Sequence, residues 1–354
     1  MVYWLQTIST MKGILTLLFA AGLSVAASAQ DNDKTPYLTK SLANDAINNV
    51  VVNTSAGGIF VTGQSGESPR IEVYVRDNHG HQLSHDEAQK RLEKNFDLDI
   101  TVNGHELDAT VKSKHEMMDW NNNGLSISFK IYVPQQVSTQ LHTSGGGIDL
   151  SFLSGNEDFS TSGGGLQINH LSGKVHGKTS GGGIEVSNSS DDIDLKTSGG
   201  GIQARDCSGT INLGTSGGGL DLEGLKGTIN AHTSGGGIRG RNIEGELITS
   251  TSGGGIDLKE MNCSLDAHTS AGSLDVQMAH VGKYVKVGSS AGNVRLELPS
   301  QQGFDLNLSA ERITDHIING FKGDWSQKSV NGSINGGGIP VEAHANDNID
   351  VKVD

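Results

Sequence analysis

The chain has 354 residues, with 26 basic against 40 acidic side chains and a formal net charge of −14. That balance excludes a nucleic-acid surface or an electrostatic grip on anionic lipid, both of which need clustered Lys and Arg. Two cysteines exclude a disulfide scaffold, and 50 glycines with 5% aromatic residues leave a core of small aliphatics.

The first predicted element is an export signal. Lys12 follows Met11, the run from Gly13 to Val25 is apolar, and Ala27-Ser28-Ala29 supplies a small-x-small cleavage site before Gln30. Residues 1–29 are therefore expected to be removed on export to the periplasm, the cell surface or the medium. Thirteen apolar residues fall short of the roughly 20 that span a bilayer, so the mature chain is not expected to cross a membrane.

Residues 30–142 read as a less regular lead-in. Val50–Val52, Gly58–Thr62, Arg70–Arg76, Leu98–Val102, Leu107–Val111 and Leu125–Val133 have the composition and alternation of strands. Between them, Ser84-His85-Asp86-Glu87 resembles a capping box that opens a short helix to about Asn95.

From residue 143 an internal repeat dominates. Thr-Ser-Gly-Gly-Gly-Ile/Leu begins at Thr143, Thr161, Thr179, Thr197, Thr215, Thr233 and Thr251, each step 18 residues. Thr269-Ser270-Ala271-Gly272 keeps the phase, and Ser289-Ser290-Ala291-Gly292 follows after 20 residues. Echoes lie at Thr54-Ser55-Ala56-Gly57-Gly58-Ile59 and at Asn335-Gly336-Gly337-Gly338-Ile339.

With Thr as position one, positions six and eight, then fifteen and seventeen, are apolar and alternate with polar residues. That is strand periodicity, two short strands per unit. An 18-residue unit with glycine corners reads as one rung of an all-β, parallel β-solenoid (β-helix). A right hand is expected, as for parallel crossovers in general. The glycine triplet forms one corner, and the glycine-rich position thirteen (Gly155, Gly173, Gly209, Gly227, Gly245) is expected to form the second. Cys207 and Cys263 stand three rungs apart, about 14 Å along the axis, too far for a disulfide. The regular rungs span 143–308, and 309–354 supplies C-terminal rungs and a cap. The helix and the segment Asn331–Asp354 are the expected covers of the two ends.

The run Leu125-Ser126-Ile127-Ser128-Phe129-Lys130-Ile131-Tyr132-Val133-Pro134, then Gln140-Leu141-His142-Thr143-Ser144-Gly145-Gly146-Gly147-Ile148-Asp149-Leu150, resembles the DUF4097 family. These are bacterial "toastrack" β-strand repeat proteins that also carry the label "putative adhesin". The resemblance covers residues 45–345. It implies an exported solenoid near the cell envelope, and it offers no catalytic motif to carry over.

Candidate chemistry is sparse. Calcium-binding rolls repeat G-G-x-G-x-D, but Gly145-Gly146-Gly147-Ile148-Asp149 is one glycine short. Position seven also runs Asp149, Gln167, Glu185, Gln203, Asp221, Arg239, Asp257, and Arg cannot ligate a cation. His79, His81 and His85 read as a solvated loop, and His232 and His268 lie about 10 Å apart, too far to share a zinc. Neither metal nor cofactor is expected. The carboxylates, Asp191, Asp192 and Asp194 among them, lack the partners that glycoside hydrolysis needs. Two sets of residues stand as ligand-contact candidates. One is the loop with Met117, Met118 and Trp120. The other is the column Thr143, Thr161, Thr179, Thr197, Thr215, Thr233 and Thr251, for which local bonding to the corner backbone is the favoured role and a hydroxyl face toward a ligand the alternative.

The expected function is a non-enzymatic, adhesin-like binding protein of the envelope that recognises a protein or a glycan. A periplasmic structural or stress module, with end-to-end self-association, is the alternative; a polysaccharide-active enzyme comes third.

Overall fold

The computed structural model describes residues 35–66, 68–114, 124–316 and 320–353. The signal segment 1–29 and the loop with Met117, Met118 and Trp120 lie outside them. The chain divides between Thr35 and Pro36, and every strand and the helix belong to the unit from Pro36 onward.

Each repeat from Thr143 to Thr233 folds into a four-residue strand at positions six to nine and an eight-residue strand from position twelve to the next Thr, as in Ile184–Ser187 and Ser190–Thr197; in the repeat of Thr251 the two join as Ile256–Thr269. Both pair in parallel with their equivalents one unit on: Ile184 opposite Ile202, Ser190 opposite Ser208, Thr197 opposite Thr215. The fold is the expected parallel solenoid. Its core is a set of columns, since equivalent residues stack. Positions six, eight, fifteen and seventeen point inward, and position eleven (Leu153, Leu171, Cys207, Leu225, Ile243, Met261) closes the core at the corner. Each fully buried Leu or Ile contributes about 1.5–3 kcal/mol. Cys207 and Cys263 are both free and buried, and burial raises both thiols, Cys263 to about 12.

The second corner starts three residues before position thirteen, where Phe152, His170, Asn188, Asp206, Gly224 and Asn242 take φ of +51 to +65°. Asn, Asp and Gly tolerate this left-handed region; Phe152 and His170 stack their rings at 4.8 Å across neighbouring rungs. Position thirteen, near the start of the long strand, also needs glycine: Gly173, Gly209, Gly227 and Gly245 take φ of +99 to +121° and are crowded against the rung before.

Both ends double back. At the N-terminus the strands are β1 (Leu38–Ser41), β2 (Asn49–Thr54), β3 (Ile59–Gly63) and β4 (Arg70–Asp77). Helix α1 (His85–Asn95) follows, then β5 (Phe96–Asn103), β6 (Glu106–Ser113), β7 (Leu125–Val133), β8 (Ser138–Thr143) and β9 (Ile148–Ser151). Strand β2 lies between β6 and β8, and β3 between β7 and β9. The Thr54 echo is therefore a true rung, with Thr54 opposite Thr143 and Ile59 opposite Ile148. Ser84 caps α1 by accepting the Glu87 N–H, but the Glu87 carboxylate turns to Arg91 at 2.6 Å rather than back to the cap.

The C-terminal expectation needs correction. Ile339–Ala345 lies between Leu274–Ser289 and Phe304–Ser309, and Asn348–Val353 lies between Val294–Leu298 and Arg312–His316. The last strands are thus an inserted rung, not an outer cover. Its corner is Ala345–Ile349, in line with Ser289–Val294. The Asn335–Gly338 echo is a connecting turn with four consecutive positive φ angles.

The parallel stack stops where antiparallel strands begin. At one end β4 pairs antiparallel with β7 and β1, and β5 with β6; Lys40 on β1 donates to the Ile100 carbonyl on β5 at 2.8 Å. At the other end Ser329–Ile334 pairs antiparallel with Phe304–Ser309 and Lys322–Trp325. Among the described residues no helix is long and apolar enough to cross a membrane.

Candidate binding furrow along the solenoid

The Thr-Ser-Gly-Gly-Gly corner builds a ridge along the solenoid. Its Thr column points inward. From Thr143 to Thr251 every member is at most 5% exposed. Each hydroxyl donates to the middle-glycine carbonyl of the rung before, as Thr197 does to Gly182 at 2.7 Å. Each also accepts the middle-glycine N–H of its own rung, as from Gly200 at 3.3 Å. Thr143 reaches Gly57 instead, because the doubled-back rung precedes it in space. These seven threonines therefore join rungs, and the hydroxyls facing solvent belong to the serines that follow them, such as Ser162, Ser180 and Ser198.

Thr197→Val is accordingly expected to leave a part-buried carbonyl and N–H without this partner and to cost about 1–3 kcal/mol. Thr197→Ser should cost well under half of that. Urea unfolding of the two variants checks this, and equal losses would show that the methyl rather than the hydroxyl matters.

A furrow flanks the ridge on each side. Between the ridge and the short strands, a furrow of about 930 Å³ runs unbroken from the rung of Gly165 to that of Ser273. Six steps of about 4.8 Å make it roughly 29 Å long. Its floor is the third glycine of each triplet, where no side chain projects. Its wall is position seven: Gln167, Glu185, Gln203, Asp221, Arg239, Asp257 and then Asp275. Arg205 braces the wall from position nine, 3.5 Å from Glu185 and 3.6 Å from Glu223, and Lys259 sits 3.4 Å from Asp257. The wall is polar, mainly acidic, and carries amide donors.

On the other flank, hollows of about 510 and 370 Å³ lie between the corner serines and position eighteen, which holds His142, Lys178, Lys196, His232 and His268. Position sixteen compensates part of this charge: Asp194 lies 3.0 Å from Lys196, and Asp266 lies 2.7 Å from His268. This flank is broken into two shorter hollows and the glycine-floored furrow is not, which makes the latter the better seat for an extended ligand.

Sequence reasoning missed a group of aromatics. Phe60, Tyr74 and Tyr132 stand outward on β3, β4 and β7, outside the regular repeats. The available signal was the alternation itself, since each is flanked by inward Ile or Val. Lys130 lies 4.8 Å from the Tyr74 ring centre, and the Arg70 guanidinium stacks 3.8 Å over Tyr132. Beside them Asp149 is half-buried, and burial raises its carboxyl above the usual range.

The sequence matches the family described as Toastrack DUF4097 over residues 47–353. No curated protein matches it significantly. Among solved structures it is similar to a putative cell adhesion protein from Clostridium sporogenes, at 13% identity and a TM-score of 0.20, over 90% of this chain and 98% of that one. A putative adhesin from Bacteroides fragilis shares 11% identity at a TM-score of 0.24, over 90% and 96%. A putative lipid binding protein from Parabacteroides distasonis shares 13% at 0.28, over 89% and 96%. These structural likenesses are too low to carry function across. The family match rests on the sequence itself and spans nearly the whole described chain, and the protein belongs to the toastrack DUF4097 family.

Proposed function

We propose that the protein is an exported, non-enzymatic binding protein of the bacterial cell envelope, and that it holds an extended partner along the glycine-floored furrow. The unbroken run of that furrow over seven rungs carries the reading. A ladder of like side chains on a flat, rigid sheet repeats one contact along a polymer, and rigidity lowers the ordering cost of binding. Catalysis is not part of the proposal. The furrow carboxylates stand in one column on one side, whereas glycosidic hydrolysis needs two that flank the bond. Export rests on the basic, apolar and small-residue order of Lys12 to Ala29. End-to-end assembly is not part of the proposal.

The test is retention of labelled protein on envelope fractions of the bacterium that makes it. Wild type is expected to bind saturably. A furrow-blocked Gln203→Trp/Asp221→Arg variant should lose at least about tenfold in affinity, and Thr228→Trp on the opposite sheet should bind as wild type. Equal retention of all three, or no saturable binding, would overturn the reading.

A further inference from the structure

The columns that build the furrow continue two rungs past its Gly165 end to an aromatic ring. The furrow floor is the third-glycine column, and in the doubled-back rung that column is occupied by Gly58. A side chain added at Gly58 would meet the Phe60 ring at 2.8–3.0 Å, so the ring lies across the glycine floor. Phe60 is also 38% exposed, as is Phe152 at 44%, but only the Phe60 ring lies over the glycine column. Around it is a concave pocket of about 270 Å³. Strand register builds the pocket: Phe60 stands between Asp149 on β9 and Lys130 on β7, while Thr62 stands between Ser151 and Tyr132. Ser151 donates to the Thr62 hydroxyl at 3.2 Å. The pocket thus offers an aromatic face, a carboxylate acceptor, an ammonium donor and hydroxyls that both donate and accept, within two rung spacings.

An apolar face beside a few convergent polar groups is the usual make-up of a site for a small polar ring. Asp149 also occupies position seven and stands opposite Gln167 in register, so the pocket and the furrow wall share one side-chain column. The wall then carries Glu185, Asp221, Asp257 and Asp275 against a single Arg239. An acidic polymer would meet a carboxylate at four of the seven wall positions. A hydroxyl-rich chain without negative charge would meet an acceptor or a donor at every rung, with side-chain amides at Gln167 and Gln203.

Resting on the furrow as the binding site, we propose that its ligand is an uncharged glycan chain, whose terminal sugar ring stacks on Phe60 and whose hydroxyls bond to Asp149 and the position-seven column. Phe60 is the specificity-determining residue of this arrangement.

The experiment is calorimetric titration of the purified protein with neutral cello- and chito-oligosaccharides of increasing length, and with oligogalacturonate as the acidic probe. Saturable binding by a neutral series, tightening with length, is expected. Phe60→Ala should weaken it at least about tenfold and Phe60→Trp should restore it, with unchanged circular dichroism in both. Oligogalacturonate should bind at least about tenfold more weakly, in line with like-charge juxtaposition. The inference is overturned if no neutral oligomer binds, if Phe60→Ala binds as wild type, or if oligogalacturonate binds equally well. Loss of envelope retention on blocking Gln203 and Asp221, alongside any of those results, would remove the glycan assignment and leave the furrow reading standing.

Discussion

Gly182→Ala is expected to destabilise the solenoid by about 3 kcal/mol or more, while Gly181→Ala, one residue away, should change stability by less than about 1 kcal/mol. A Cβ at Gly182 would lie well under 3.0 Å from the carbonyl and following amide of the rung before. Those atoms are backbone, held in place by the Thr179 hydroxyl on the Gly164 carbonyl and by the Gly181 N–H on Ser162. No rotamer change can open that space; the rungs must part, and the parallel ladder breaks with them. At Gly181 the nearest atom would be 3.5 Å away, ordinary contact. The chain carries the same contrast within itself. Ala replaces the first glycine at Ala56, Ala271 and Ala291, and Ser273 and Asn293 replace the third. The middle position keeps glycine from Gly57 through to Gly292.

Stability in a solenoid is a sum of rung and nearest-neighbour terms. The Gly182 lesion is therefore expected to open locally. Hydrogen exchange should quicken most in the rungs from Thr161 to Thr215 and leave the closed ends protected. Urea unfolding with exchange mass spectrometry reads both. Equal losses at 181 and 182 would mean that corner flexibility, not rung spacing, is what the glycines supply.

The repeat was legible because a parallel ladder writes itself into the sequence at a fixed interval. Ile184, Ile202 and Leu220 stack on one another, and the demand for shape repeats with them. The strands of the lead-in and the Ser84-capped helix were legible from local pattern for the same reason that isolated elements usually are. What depends on distant pairing was not. Thr54 sits 89 residues before its partner Thr143, and nothing in the local pattern says that β2 and β3 are clasped between later strands. The C-terminal echo misled more directly. Asn335–Ile339 copies the glycine corner in letters, yet its left-handed φ angles make a turn, while the true corner at Ala345–Ile349 has no glycine at all.

The site was less legible than the fold. The Thr column was legible as corner bonding from its place beside the glycine triplet, and burial with the bonds to the middle glycines decides against a hydroxyl face. The furrow exists because a column lacks side chains, and absent atoms leave no periodic signal beyond the glycines themselves. Phe60, Tyr74 and Tyr132 escaped because they converge through the doubled-back register and share no repeat position.

Stability is expected to fall as pH rises from about 4.5 through 7, and Glu157→Gln should remove much of that fall. Position fifteen is otherwise aliphatic: Val175, Ile193, Ile211, Ile229, Leu247 and Leu265. In the first regular rung it holds Glu157, which pairs across the ladder with Val175 and Thr139 and is 1% exposed. Thr139 donates to one carboxyl oxygen at 2.6 Å, and the other has no partner. Burial outweighs the Thr139 bond and pushes the carboxyl up to about 7, from an ordinary value of 4.5. The folded state therefore holds its proton more tightly than the unfolded chain. The resulting stabilisation is complete below about 4.5 and is lost as pH rises through 7, and a shift of this size corresponds to a change on the order of 3 kcal/mol. General repulsion in a chain of net charge −14 pushes in the same direction, which is why the variant is the informative measurement. Glu157→Gln keeps an acceptor for Thr139 and cannot ionise. Denaturation from pH 4 to 8 should show the two proteins drawing apart above pH 5, the variant being the more stable at pH 8. Parallel curves would assign the whole pH dependence to surface charge and leave Glu157 protonated, or solvated, at every pH tested.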